Sequence, residues 1–264
     1  MSAARRIHGP LDAKGRHALA DALGDTPETV ISVHQLRRGL CRAWTVGNPS
    51  RFDAAIIQGD FLPEEPVGFG VDAERLWELL KPVEGWECID VSQSCAAALG
   101  KIIERETGVR VRYYDDIYHT LGEPAPDFPD KHVRRLTSAD LALLESAPHD
   151  VQGCGFEGLD AMLSEGVAAC AIVDGDIVAI AHTYARSERH ADVGVYTLED
   201  WRGRGYATAC AAVVARAVQE AGQTPVWSTG PGNLASLRVA EKLGFKEVAR
   251  TTYVILEQHK QHGA

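Results

Sequence analysis

The residues most able to do chemistry lie in one short run, Arg202-Gly-Arg-Gly-Tyr-Ala-Thr208. Glycine lets a backbone turn tightly and lets its N–H groups approach a ligand, because no β-carbon holds the two apart. The alanine-rich stretch that follows, about 206–221, is expected to be a helix. The first N–H groups of a helix have no intrahelical partner, and with the helix dipole behind them they favour an anion. Such an arrangement cradles phosphate. Arg202 and Arg204 add positive charge at its rim. The apolar run His190-Ala-Asp-Val-Gly-Val-Tyr-Thr197 reads as the strand that delivers the loop, after a short acidic turn at Glu199-Asp200.

Phosphate loops come in several kinds. A P-loop would read GxxxxGK followed by Ser or Thr, and no such string occurs. A dinucleotide loop would read GxGxxG, but Thr208 stands at the third glycine and Gly222 lies near the position of the ribose-binding acid. That disfavours a nicotinamide-dependent oxidoreductase. Downstream, Thr224-Pro-Val-Trp-Ser228 reads as a short strand broken by Gly230-Pro-Gly232. Asn233 is expected to cap a helix over 234–243 that ends at Gly244, before a strand over 245–256.

These two segments together resemble the GNAT N-acetyltransferase superfamily. Arg202, Gly205 and Ala207 occupy the defining positions of its acetyl-coenzyme A signature, Arg/Gln-x-x-Gly-x-Gly/Ala. Asn233-Leu-Ala-Ser-Leu-Arg-Val-Ala-Glu-Lys-Leu-Gly-Phe245 is similar to its second hallmark, and the resemblance covers roughly 131–258. It implies an α/β (α+β) GNAT fold, with a central mixed, mostly antiparallel sheet flanked by helices. It also implies acetyl-CoA as acyl donor and direct attack by a primary amine, with no metal. On the same resemblance, the backbone of Val195, Tyr196 and Thr197 pairs with the pantetheine arm, and the Val195 amide faces the thioester oxygen. One such donor is worth roughly 3 kcal/mol in the transition state. Arg202, Gly203, Arg204, Gly205, Tyr206, Ala207 and Thr208 would hold the pyrophosphate. Asn233 and Ser236 would contact the arm.

The catalytic groups are less sharply indicated. Family members often carry a carboxylate on the strand before the loop, and Asp192 occupies the matching position. Strand alternation puts its side chain on the face opposite Val193 and Val195. The other reading is a solvated acid near a strand start. His190 is the second candidate base, able to relay a proton near neutral pH. His182, inside an apolar strand, is either a third or a satisfied core histidine. The tyrosine that many members use to protonate the leaving thiolate is replaced by Ala240. Ser236, one turn earlier on the same helix face, can donate a hydrogen bond instead. Tyr206, Tyr253 and water stay open. The string from Ser236 to Lys242 looks like the branch that acetylates ribosomal-protein N-termini.

The elements that must position these groups follow a consistent order. A proline-rich run, Gly122-Glu-Pro-Ala-Pro-Asp-Phe-Pro-Asp130, reads as a semi-rigid connector. After it come a strand over 132–136, a helix over 138–146, a helix over 155–163, and strands over 167–173 and 177–185 joined by the hairpin signal Asp174-Gly175. Before it, strands are expected over 41–47, 54–58 and 66–71, then a helix over 73–80, a strand over 86–91, a helix over 93–107 and a strand over 109–114. The first half therefore repeats the order of the second. The expected division is 1–125, a degenerate GNAT-like or substrate-shaping lobe, and 126–264, the acetyltransferase domain. In the first lobe the strand-to-helix junction Gly70-Val-Asp-Ala-Glu-Arg75 carries two acids, which repel a pyrophosphate.

Composition sets the remaining limits. At 264 residues, with 45% hydrophobic and 24% charged residues, the chain can bury a real core. A net charge of −10 argues against nucleic acid as partner. The six cysteines show no CxxC, so they read as buried thiols of a cytoplasmic protein. No signal peptide or membrane span is expected. A small-molecule amine is the expected acceptor, with a protein N-terminus second. Oligomeric state is not legible. The competing class is a non-catalytic acyl-CoA-binding sensor or interaction module.

Overall fold

The computed structural model describes residues 7–257. From the N-terminus, β1 (Ile7–His8), α1 (Ala13–Leu23) and α2 (Val30–Arg38) precede β2 (Cys41–Asn48), β3 (Arg51–Gly59) and β4 (Val67–Gly70). Next come α3 (Ala73–Leu80), β5 (Cys88–Ser92), α4 (Gln93–Thr107) and β6 (Val111–Thr120). The second half runs β7 (Val133–Arg135), α5 (Leu141–Ser146), α6 (Leu159–Glu165), β8 (Ala168–Val173), β9 (Asp176–Arg186) and β10 (His190–Thr197). It closes with α7 (Tyr206–Glu220), β11 (Thr224–Thr229), α8 (Leu234–Leu243) and β12 (Lys246–Leu256). Each half is thus a strand, two helices, three strands, and then helix, strand, helix, strand. The α/β class expected from the sequence is the class observed.

Two compact units form, and neither is continuous in sequence. The first takes the described residues up to Gly24, then Gln35–Asp116, then those from Arg250 on; the second takes Asp25–His34 and Ile117–Ala249. In the first, the strand neighbours run β1-β2-β3-β4-β5-β12, antiparallel except for β4 with β5. Leu76 and Leu80 of α3 and Leu99 and Ile103 of α4 pack against Ile56 and Ile89, with Val254 of β12 in the same core. The two acids at the α3 junction are both paired, Glu74 with Arg105 at 3.5 Å and Asp72 within its own turn. Asp72 accepts a hydrogen bond from the Arg75 amide at 3.3 Å, and the Arg75 side chain pairs with Asp72 and Asp53. A carboxylate of the chain therefore already occupies this helix N-terminus.

In the second unit the neighbours run β6-β11-β10-β9-β8-β7, with β6 contributing Ile117–Thr120 and only β10 and β11 parallel. The alanine-rich face of α7 lies on small strand residues: Cys210, Ala211 and Ala215 meet Ala169, Ala179 and Ala191 in one buried cluster. Small side chains on both surfaces let helix and sheet approach closely. The opposite sheet face is covered by Leu144, Phe156 and Met162. The Asp174-Gly175 hairpin forms with φ of 52° and 98°, the left-handed values this pair supplies.

Several elements differ from sequence expectation for local reasons. The helix expected over 138–146 opens as a tight turn, Ser138–Asp140, closed by a Thr137–Asp140 capping box, and becomes α-helical at Leu141. The helix expected from 155 starts at Leu159. Gly155 has φ 101°, and the Tyr184 carbonyl fills the place of its β-carbon, so that segment serves close packing first. Residues 122–130 lie in the second unit and form a strap on α7, not a free connector. The Gln219 amide donates to the carbonyls of Leu121 and Glu123 at 3.2 and 2.7 Å, and accepts from the Ala125 amide at 2.9 Å. Helices α1 and α2 have no counterpart in the sequence reading. Among the described residues, no helix is long and apolar enough to cross a membrane.

Candidate active site

The site grows from the two edges of β10. The Leu198 amide donates to the Val178 carbonyl at 3.0 Å, in register with the pairs Thr197↔Ala179 through Val193↔Thr183. Antiparallel pairing alternates, so Tyr196 and Gly194 bond toward β9 while Val193, Val195 and Thr197 turn their N–H and C=O groups to the other edge. On that edge β11 pairs only with His190, Ala191 and Asp192. Beyond Asp192 the two strands separate, and the polar backbone of Val195 and Thr197 faces the opening.

The loop after β10 closes one end of that opening. Gly203 and Gly205 have φ of 77° and 89°, and nothing lies within 4 Å of where their β-carbons would stand. Glycine is required here by backbone conformation, and the space beside it is open to a ligand. Gly205 is the N-cap of α7 and offers no side chain to the helix end. The amides of Tyr206, Ala207 and Thr208 have no acceptor among the described residues. Arg202 is held in place by donating to the Thr197 carbonyl at 3.2 Å. Arg204 donates to the Asp200 carbonyl and stacks 4.5 Å over the Trp201 ring.

Helix α8 supplies the facing wall. Asn233 caps it, accepting from the Ser236 amide at 3.2 Å. Ser236 in turn accepts from the Trp227 indole N–H at 2.9 Å. The resulting groove, about 570 Å³, is lined by Val195 to Thr197, Arg202, Gly203, Gly205 to Thr208, Asn233 and Ser236. The expected donor positions therefore meet in one place, with Arg204 set at the rim beside Trp201. Five residues that sequence reasoning missed also line it: Trp201, Ala235, Arg238, Val239 and Lys242. The signal for the four on α8 was their spacing, one helical face that carries two cations. Arg202, Arg238 and Lys242 line the groove, and no acid does. In a chain of net charge −10, this is a local concentration of positive charge.

The catalytic candidates are dispersed. Asp192 is 5% exposed and pairs with Ala185 and Val226. The register irregularity leaves Tyr184 of β9 as the extra residue, so alternation along β10 is kept and Asp192 shares its face with Ala185 and Val226, in the cluster around Val30. It does not line the groove. His190 does not either; its Nδ1 lies 2.6 Å from Asp25, whose carboxylate also accepts from the Ser187 hydroxyl and the Arg189 amide. Burial pushes the Asp25 carboxyl up, but the hydrogen bonds from His190, Ser187 and Arg189 outweigh it and hold the group below its ordinary value. His182 is buried and accepts from the Cys154 amide at 3.2 Å, and burial pushes its pKa down to about 4. It is a neutral core histidine at physiological pH. Tyr206 is buried in the core with its ring against His132 and Trp201. Tyr253 lies in the first unit, opposite Asp90, where burial pushes its phenol up. Of the candidates for base and acid, Ser236 and Tyr206 line the groove, and the Tyr206 ring is packed against His132 and Trp201.

Residues 131–255 match the family model for GNAT acetyltransferases. This stretch is a GNAT acetyltransferase domain. Solved GNAT structures resemble the chain over nearly its whole length. A GCN5-related N-acetyltransferase-like protein from Streptococcus suis is 20% identical, covers 93% of this chain and 99% of its own, and has a TM-score of 0.65. A GNAT-family acetyltransferase from Colwellia psychrerythraea is 11% identical, with coverage of 96% and 100% and a TM-score of 0.61. A tandem GNAT protein from the clavulanic acid biosynthesis pathway is 13% identical, with coverage of 95% and 98% and a TM-score of 0.58. At such identities the likeness is one of fold. Among curated proteins, none matches. The GNAT domain places the chain among acyltransferases, and its groove is where the fold exposes a strand edge and a helix N-terminus together.

Proposed function

We propose that the second unit is an acetyl-CoA-dependent N-acetyltransferase that acts on a primary amine, foremost a small molecule and secondly a protein N-terminus. The observation that carries this reading is the unpaired edge of β10 running into the Gly203–Gly205 loop and the open N-terminus of α7. The loop amides and the helix dipole would hold the pyrophosphate, with Arg202, Arg238 and Lys242 around it. The Val195 and Thr197 backbone would continue the pantetheine as an added strand. The Val195 amide would then meet the thioester oxygen as charge develops there. Ser236, across the groove, would meet the sulfur.

The amine attacks directly, and its proton leaves to solvent. Asp192 and His190 act on this reading only through intervening water, since neither lines the groove. The first unit, whose α3 N-terminus is filled by Asp72, would be a GNAT-like repeat that binds no donor. The unpaired cysteines suit a cytoplasmic enzyme. The dispersal of the candidate bases favours one second reading, an acyl-CoA sensor without turnover. Calorimetric titration tests the donor site: acetyl-CoA should bind with micromolar affinity, Gly205→Glu should abolish binding, and NAD should not bind. Absence of acetyl-CoA binding in the native protein would overturn the reading. Binding without thiol release across an amine panel would instead establish the sensor.

A further inference from the structure

Trp227 is 1% exposed on β11, its ring packed edge-on to Phe245 at 5.5 Å. Buried tryptophans seek a partner for the indole N–H, and this one reaches across to Ser236 Oγ on α8 at 2.9 Å. The geometry fixes the direction of the bond, because an indole N–H can only donate. Ser236 therefore accepts through its oxygen, and its own O–H is left to donate elsewhere. No described residue accepts that proton, and Ser236 lines the groove. A hydroxyl that already accepts from a buried donor is a stronger donor itself, since hydrogen bonds in a chain polarise one another.

We propose that Trp227 is a positioning residue that turns Ser236 into the hydrogen-bond donor for the sulfur leaving the acyl donor, in place of a tyrosine at Ala240. This rests on the donor-site reading above. In the step it serves, the amine nitrogen forms a bond to the acetyl carbon as the carbon–sulfur bond breaks. The electron pair of that bond goes to sulfur, and the proton lost by the amine goes to water. Ser236 keeps its proton, because an aliphatic hydroxyl is a far weaker acid than a thiol. It contributes a hydrogen bond to the thiolate, and coenzyme A leaves as thiolate. No general acid is then required, which is why an alanine is tolerated where a phenol is common.

The test reads coenzyme A itself and needs no acceptor. Coenzyme A is bound to the native protein, and its thiol is titrated by ultraviolet absorbance of the thiolate, with calorimetry confirming occupancy. A charge-assisted hydrogen bond should make the bound thiol roughly tenfold easier to ionise than the free one. Ser236→Ala and Trp227→Phe should each abolish most of that gain, and the double variant should lose no more than either alone. Ser236→Thr, which keeps the hydroxyl, should retain it. Ser236→Ala leaves the buried indole in place, so the outcome does not depend on Trp227→Phe folding well. Variants that bind coenzyme A with an unchanged thiol titration would overturn the proposal while leaving the donor site standing. Failure of the native protein to bind coenzyme A would overturn both.

Discussion

His182 shows how burial alone can decide what a titratable residue does. Its ring sits between Gly153 and Gly194, each of which leaves room where a β-carbon would press on the imidazole at 3.2–3.3 Å. Cys154 donates to Nε2, so the neutral ring carries its proton on Nδ1. The unfolded chain binds a proton at the ordinary value near 6.5, and the folded one only near 4. Between those values the unfolded state holds more protons, so stability is full above about pH 6.5 and falls as pH drops toward 4. The gap corresponds to at most about 3 kcal/mol. Denaturant titrations of His182→Gln should show a flatter pH dependence across that window than the native protein; an identical slope would mean that His182 titrates normally. At this scale the sequence was informative wherever the chemistry is local. Arg202, Gly205 and Asn233 could be placed because loop, cap and helix start are set by neighbours in sequence. The Trp227–Ser236 bond could not, since it joins a strand to the following helix through side-chain direction. The pairing of His190 with Asp25 spans 165 positions and left no trace in spacing.

At the scale of elements, local signals again mark what was legible. Helices α3, α4 and α8 agree with their expected spans because local signals mark their ends: Asp72 and Asn233 cap α3 and α8, and Gly108 and Gly244 terminate α4 and α8. The turn at Ser138–Asp140 shows a cap at work. Asp140 accepts from the Thr137 amide at 2.8 Å and from Arg134 at 2.6 Å. The Arg134 guanidinium, with the Thr137 bonds, holds its carboxyl down at about 2. Its contribution is present above the ordinary carboxylate value of 3.8 and is lost as pH falls toward 2. Asp140→Ala should cost about 1 kcal/mol near neutral pH, and much less at pH 2, in thermal or urea unfolding. An equal loss at both values would refute the cap as its cause. The short helices and β1 were less legible. Two residues of strand carry no periodicity, and α2 is split between units, so its buried positions answer to two different surroundings.

At the scale of the molecule, the terminal strand of each repeat serves the other. β12 pairs with β5 in the first unit, from Thr251↔Ser92 to Ile255↔Cys88. The end of β6 pairs with β11 in the second, from Ile117↔Thr229 to Thr120↔Val226. Cutting the chain after residue 125, where the proline-rich run suggested a boundary, gives each fragment the wrong last strand. Residues 1–125 and 126–264 made separately should be insoluble or aggregate, because β5 and β11 become open edges. Made together, they should co-purify as a one-to-one pair by size-exclusion chromatography. Two independently soluble monomers would contradict the exchange.

The same exchange sets an order of events during synthesis. The ribosome delivers the first unit's helices and five of its strands early, yet the strand that seals its sheet follows residue 249. The second unit meets the opposite situation, since β6 waits in the nascent chain before β11 exists. The second unit can therefore finish its sheet while the first is still missing an edge. Completion of the first unit then hinges on a segment that emerges only after the second unit has been made.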